Sequence, residues 1–478
     1  MVNRLQTFFS SHRHEVVLFS AAFLLRAAAF LILSYIAISY SVLSANPEIR
    51  VYPVIGSDAG GYVGAARVLL EEHRFASPGE TESQSYLMPG YPLLLAVIFF
   101  LGGGVKSVVV LQTLLAGLSA VLVYRIGKEI APAVGSMAAW VFVFDPISIF
   151  YATTILTETV FVFLVLGGVY VFFWRFSSAW WNMALVGILI GLSVYIRPNA
   201  IVFPLIFFIA LCVFRERAWT WKQTLLRGVV LGGVAFLIVF PWMLRNKLIF
   251  DTWDLTAVST IQWYWYNAPL YYAYTHDITH TEALDIFHER LRAINPHQSN
   301  DGTLRNAPYM RQVAFEYLRE DPFGYVWFHV VKSIPFFVSD GLRDIARRLE
   351  VVGDQPDIGG LLLRGDLHSV ISFFREHTLA AVLLVAGAAF WGFVTLGMVA
   401  AIFLGGALSL ASRRALYVSI GLIAVTILIA AGPNANARYR LSVSPFLFIA
   451  ASYSFWVVLT KFRKSRTLYT HGSGVLET

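Results

Sequence analysis

The chain holds one cysteine, few charges and no repeated unit. Cys212 lies inside an apolar run, so no disulfide forms within the chain and its redox compartment is not readable. Charged residues are 14% of the sequence, against roughly 25% in average soluble domains, and hydrophobic residues reach 57%. With a mean hydropathy of +0.65, that excludes an ordinary water-soluble domain and points to a lipid environment. No internal repeat or low-complexity tract is found, which argues against solenoids and against transporters built from inverted repeats. The net charge of +7 does not signal nucleic acid, because many Lys and Arg sit at the ends of apolar segments, where membrane topology explains them.

A removable signal peptide has a short apolar core and a small-residue cleavage site. The run from Val16 to Leu43 is too long for that and reads as a retained first span. A helix needs about 20 apolar residues to cross the hydrocarbon, which gives about ten spans. They fall near 16–43, 106–127, 132–152, 157–174, 183–196, 199–214, 225–244, 379–408, 415–432 and 441–460. The two short ones flank Arg197-Pro198, which cannot continue a regular helix. The expected fold is an all-α polytopic membrane protein with extra interfacial helices outside the bilayer.

Placing the N-terminus, with Arg4 and Arg13, in the cytoplasm puts Arg125, Lys128, Arg175, Arg215, Arg217, Lys222, Arg227, Arg413, Arg414, Lys461, Arg463, Lys464 and Arg466 on the same side. The C-terminus is then cytoplasmic too. This alternation requires that Pro89 to Leu101 does not cross. That run is short and follows Pro89 with Pro92, so it reads as an interfacial or re-entrant helix. Three regions result: an N-terminal membrane module over 1–244 with an outer loop at 44–105, an outer helical region over 245–378, and C-terminal spans with a cytoplasmic tail over 379–478. Within the outer region two helices are expected on either side of Asp321-Pro322.

The outer turns carry Glu158, Arg197, Arg245, Arg438 and Arg440, with Asp58 on the first outer loop. Positive residues are disfavoured on that side, and ionisable groups at the edges of spans are costly. Each arginine alone is also explained by snorkelling to headgroup phosphates. As a set with two carboxylates, they suit a lipid phosphate, since the planar guanidinium matches phosphate oxygens. A nearby carboxylate can take a proton from an attacking hydroxyl. The chemistry that combines these is inverting glycosyl transfer from a polyprenyl phosphate sugar, on the extracytoplasmic face.

The segments GSDAGGY (56–62), MPGYPLLLA (88–96), ILTETVFVFL (155–164), YIRPNAIVFP (195–204), PWMLRNKLIFDTWDLTAVST (241–260) and NARYRLSVSPFLFIAA (436–451) occur in an order that resembles the GT-C membrane glycosyltransferases. The similarity is to the bacterial relatives of protein O-mannosyltransferases and of the lipid A aminoarabinose transferase, and it runs over most of the chain. It implies a GT-C-like fold in a bacterial inner membrane. It also implies a polyprenyl-phosphate sugar donor and a glycan, lipid or protein acceptor, with Asp58 as the catalytic acid of the first loop and Glu158 as a second acid. Arg197, Arg245, Arg438 and Arg440 become donor-phosphate partners, and Tyr62 and Tyr439 line the sugar or acceptor site. Many members carry a second acid directly after the first, whereas Asp58 is followed by Ala59. A hard divalent cation wants several oxygen ligands, so the expectation is transfer without a metal or other cofactor, and without nucleic acid.

Plainer readings stand beside these. Asp58 suits the N-cap of a helix starting near Gly60, Glu158 the start of the span after Thr157, and Tyr62 an interfacial anchor. His276, His280 and His288 match no zinc spacing. Residues 263–266, two Trp alternating with two Tyr, fit either sugar stacking or an aromatic belt. Arg26, inside the first span, either snorkels or pairs with another helix. The glycines at 102–104 lack the strand and helix of a phosphate loop and read as a turn. A transporter or flippase with the same span count is the alternative function, favoured by the break at Arg197-Pro198.

Overall fold

The computed structural model describes residues 12–41, 52–53, 56–174, 180–299, 301–339, 341–348, 358, 361, 365–430, 432–433, 435 and 437–472. Arg4 and Arg175, used above to orient the chain, lie outside them. Every regular element among the described residues is helical. In chain order these include α1 (Arg13–Ser41), α2 (Gly56–Glu71), α3 (Gly90–Phe100), α4 (Val105–Lys128), α5 (Pro132–Phe144), α6 (Pro146–Ala152), α7 (Glu158–Trp174), α8 (Trp181–Ile196), α9 (Phe203–Val213) and α10 (Trp221–Phe250). The helices between α10 and the last long ones are α11 (Ala268–His276), α12 (His280–Ile294), α13 (Ala307–Leu318), α14 (Pro322–Lys332), α15 (Ile334–Val338) and α16 (Leu367–Glu376). The chain ends with α17 (Thr378–Leu404), α18 (Leu410–Ala430), α19 (Ala437–Leu441) and α20 (Ser444–Gly472).

The chain is an all-α integral membrane protein. Among the described residues, six helices (α1, α4, α10, α17, α18 and α20) are long and apolar enough to cross a membrane. The expected span at 132–152 is not one rod: α5 and α6 meet at 58° and make a seventh span only if counted together. The segments Glu158–Phe173, Trp181–Ile196 and Pro198–Val213 are apolar but shorter. Length and composition therefore count six or seven spans, where the sequence suggested about ten.

The break between α5 and α6 has a local cause. Pro146 has no N–H and cannot continue α5, while Asp145 accepts hydrogen bonds from the N–H groups of Ile147 (3.3 Å) and Ser148 (3.1 Å) to start α6. The last carbonyls of α5 then lose their helical partners. Arg26 supplies them: it is fully buried and donates to Phe142 O at 3.2 Å, Val143 O at 3.3 Å and Ser148 Oγ at 2.8 Å. Arg26 thus pairs across to a neighbouring helix instead of snorkelling, placing its cation at a helix C-terminus where the dipole favours it.

Two glycines set the approach of the helices around the site. A Cβ at Gly187 on α8 would stand 2.5 Å from Leu231 O on α10, so only glycine permits that contact. A Cβ at Gly90 would stand 2.7 Å from Tyr195 O, which is how α3 seats against the C-terminal end of α8, one residue pair before Arg197. α3 buries Tyr91, Leu95 and Ala96 and exposes Leu93, Val97 and Phe100. Its 11 residues are about half the length needed to cross.

Outside the spans, Tyr264, Tyr271, Phe287, Met310, Val313 and Phe328 are buried in a separate small core formed by α11 to α14 and the turn before them. α12 opens with a capping box, in which Thr279 Oγ1 accepts from Glu282 N and Glu282 Oε2 accepts from Thr279 N. α13 and α14 are separate helices, with Asp321 capping α14 by accepting from Gly324 N at 2.9 Å.

Candidate functional site

Four distant segments deliver the charged groups. Asp58 sits in the first turn of α2, which starts at Gly56, so its carboxylate is not spent as the cap of a helix starting near Gly60. Glu158 is the first residue of α7. Arg197 follows α8 in extended conformation (φ −143°, ψ 122°), held there because Pro198 disfavours helical geometry in the residue before it. Arg438 lies on α19, close to the C-terminal span.

These four side chains meet. Arg438 Nη1 donates to Asp58 Oδ2 and Arg438 Nε donates to Glu158 Oε1, both at 2.6 Å. Arg197 Nη1 stands 3.3 Å from the same Glu158 oxygen and donates to Ser442 Oγ at 3.3 Å. Glu158 is fully buried, Arg197 and Arg438 are largely so, and Asp58 keeps 40% of its side chain exposed. Two carboxylates face two guanidiniums, so the cluster is neutral. Distance separates the guanidiniums: Arg438 is committed to both acids, and Arg197 holds its partners more loosely.

Asp58, Arg197 and Arg438 line one cavity of about 570 Å³, with Tyr62 and Tyr439 also in its wall. Glu158 lies behind that wall. Tyr62 packs edge-on against Tyr91 at 5.1 Å, and Tyr91 donates to Gln112 Oε1 at 2.6 Å. Burial pushes the phenols of Tyr62, Tyr86 and Tyr439 upward. They therefore remain neutral hydroxyls at physiological pH, able to donate and accept. Leu428 and Ile429, at the end of α18, bring exposed apolar surface to the same cavity.

Arg245 and Arg440 do not join this wall. Arg245 donates to Gln84 O at 2.9 Å and to Asn246 Oδ1 at 2.8 Å, with its guanidinium over Trp242 and Phe250. Arg440 is 1% exposed, donates to Phe336 O and Ser339 O at the end of α15, and stacks on Trp391 at 3.5 Å. Both donate to peptide carbonyls, and neither lines the cavity. The three outer histidines do not converge either: His276 stacks on Tyr272, His280 meets Trp265 O, and His288 packs against the Trp265 ring. Among the described residues no three His, Cys, Asp or Glu side chains gather as a metal site.

The cavity also has walls the sequence did not signal. Residues Gln262–Asn267 form a π-helical turn, and Gln262, Trp263 and Asn267 border the cavity. Such turns are rare and recur at functional sites. Of the four aromatics at 263–266 only Trp263 borders it, while Tyr264 is in the outer core. Asp254 is a second acid in the wall, beside Asp58, and is gripped by both Nη atoms of Arg311 at 3.1 and 2.5 Å. Trp263 belongs to the aromatic set at 263–266 and Asp254 to the segment at 241–260, but nothing local singled out Asp254, Gln262 or Asn267, because their placement depends on how the segment after α10 folds back.

No protein-family profile matches the chain, and no curated protein matches it. Among solved structures it is similar to the oligosaccharyltransferase of Archaeoglobus fulgidus in the apo form, with 13% identity and a TM-score of 0.47, over 95% of this chain and 52% of that one. It is also similar to oligosaccharyltransferase AglB from Archaeoglobus fulgidus in complex with an inhibitory peptide and a dolichol-phosphate. Identity there is 15% and the TM-score 0.45, over 95% and 52% of the two chains. The chain spans about half the length of these structures.

Proposed function

We propose that this protein is a GT-C-like membrane glycosyltransferase moving a sugar from a polyprenyl phosphate to a hydroxyl acceptor, on the extracytoplasmic face of a bacterial inner membrane. The observation that carries the reading is the junction of Asp58, Glu158, Arg197 and Arg438 at the wall of a cavity that also meets exposed apolar residues of a candidate span. A charged cluster of this kind is costly beside a bilayer, and both its half-exposed acid and its looser guanidinium open on one space.

Each group has a role in the reaction. Asp58 takes the proton of the acceptor hydroxyl, whose oxygen bonds to the anomeric carbon from the side opposite the phosphate. The anomeric C–O bond breaks, its electron pair leaves on the phosphate, and configuration inverts. Arg197 faces the phosphate and offsets the charge that develops there. Arg438 orients Asp58 and is itself anchored by Glu158. Tyr62 and Tyr439 offer hydroxyls to the sugar or acceptor. No step calls for a metal: turnover is expected to withstand chelator, and activity lost on chelation and restored by Mg2+ or Mn2+ would contradict this.

A flippase for a lipid-linked substrate is the second reading, favoured by the breaks at Asp145-Pro146 and Arg197-Pro198. Purified protein in liposomes with a polyprenyl-phosphate sugar separates the two. Release of unglycosylated lipid phosphate supports the transferase, and movement of intact donor between leaflets without cleavage supports the flippase.

A further inference from the structure

We propose that Asn267 is a carbohydrate-recognition residue, hydrogen-bonding a hydroxyl of the sugar bound in the cavity beside Asp58; this assignment rests on the transferase reading. Asn267 borders the cavity and is 4% exposed. Its Oδ1 is buried without a hydrogen-bond partner among the described residues. A buried amide oxygen left unpaired is destabilising, and native proteins retain few of them.

The backbone around Asn267 is arranged to hold it there. It is the last residue of the π-helical turn Gln262–Asn267, directly before Ala268 and Pro269 open the regular turns of α11. A π turn shifts the side chains after it relative to an α-helical course. Gln262, Trp263 and Asn267 border the same cavity as Asp58. The turn therefore brings this segment to the space that holds the acid.

Chemistry selects the ligand group. An amide oxygen accepts and does not donate, so it requires a donor from the ligand. An isoprenoid tail has none, and an ionised phosphodiester offers only acceptors. A sugar hydroxyl both donates and accepts, which suits the two ends of a carboxamide. Arg197 and Asn267 then divide the donor between them, one facing the phosphate and the other the sugar.

The test compares Asn267→Leu, close to the same shape without the polar atoms, with the wild type. Purified protein in nanodiscs is titrated with farnesyl phosphate and with a panel of farnesyl-phosphate-linked hexoses and pentoses, and Tm is recorded without lipid. The expected result is that wild type favours at least one glycosylated lipid over bare farnesyl phosphate. The variant should lose roughly 3- to 10-fold of that preference, the scale of one neutral hydrogen bond, while bare lipid binding and Tm stay level or Tm rises. A variant that keeps the preference, loses both lipids alike, or unfolds at clearly lower temperature would overturn the assignment. Wild type that binds both lipids equally would overturn it too. Wild type that binds neither lipid would instead overturn the transferase reading beneath it.

Discussion

Arg438 holds two acids with one side chain, and that arrangement decides what substitutions around it should do. Glu158 is fully buried, with guanidiniums as its charge partners. Removing Arg438 leaves that carboxylate short of its closest one, a loss on the order of 3 to 5 kcal/mol. Arg438→Met is therefore expected to lower the unfolding temperature in detergent, and adding Glu158→Gln should restore most of it while turnover stays absent. Recovery of turnover in the double variant would show that Arg438 does not position Asp58. Arg197→Ala should instead raise the donor concentration for half-maximal rate, because a phosphate contact also contributes to ground-state binding. A third residue-level expectation concerns pH. Asp321 is held below its ordinary range because Tyr271 Oη donates to it at 2.6 Å and Gly324 N caps it. A depressed carboxyl stabilises the fold fully above the ordinary Asp value near pH 4 and loses that contribution as pH falls through the lowered value. The unfolding-temperature gap between wild type and Asp321→Asn should be constant above about pH 5 and shrink below it. A gap that is flat down to pH 2 would contradict this.

At the scale of elements, close approach of α3 to α8 fixes the floor beneath Arg197. Gly90→Val would press a side chain onto Tyr195 O, 2.7 Å from the new Cβ, at about 1 to 3 kcal/mol. Turnover should fall along with unfolding temperature; an unchanged protein would mean that α3 can slide without effect. The same scale shows what the sequence made legible. Apolar runs marked all six long apolar helices of the described residues, because burial in lipid writes itself into continuous composition, but they also counted shorter runs as spans and so suggested about ten. Proline marked the break after Arg197, where two short apolar runs flank it, yet the equivalent break at Pro146 passed as a continuous span because both sides are equally apolar. Asp58, Glu158, Arg197 and Arg438 stood out as charges at the edges of spans. The same signal also raised Arg245 and Arg440, which satisfy backbone carbonyls instead. Charge at a helix edge records a cost but not which partner offsets it. The π turn and Asn267 left no local trace, and Asp254 lay within the 241–260 segment without standing out, since their positions follow from the tertiary folding of residues 251–267.

For the whole molecule, the account requires the cavity and the outer helices to share one side of the membrane, opposite the basic loops. In a Cys212→Ser background, Asp277→Cys on the outer region is expected to react with an impermeant maleimide from outside the cell. Lys222→Cys is expected to react only after lysis, and the reverse pattern would overturn the orientation. Among the long helices α18 reaches the site through Leu428 and Ile429, the shorter helices carry its charges, and the turn at 262–267 closes one side of it. What joins these parts is Asp58, the acid that opens on the cavity. The most direct measurement is the rate at which purified protein in liposomes releases lipid phosphate from a polyprenyl-phosphate sugar, before and after Asp58→Asn. A fall of about 10² to 10⁴, roughly 3 to 5 kcal/mol, is expected, with folding and donor binding retained. Equal rates from the two proteins would contradict it.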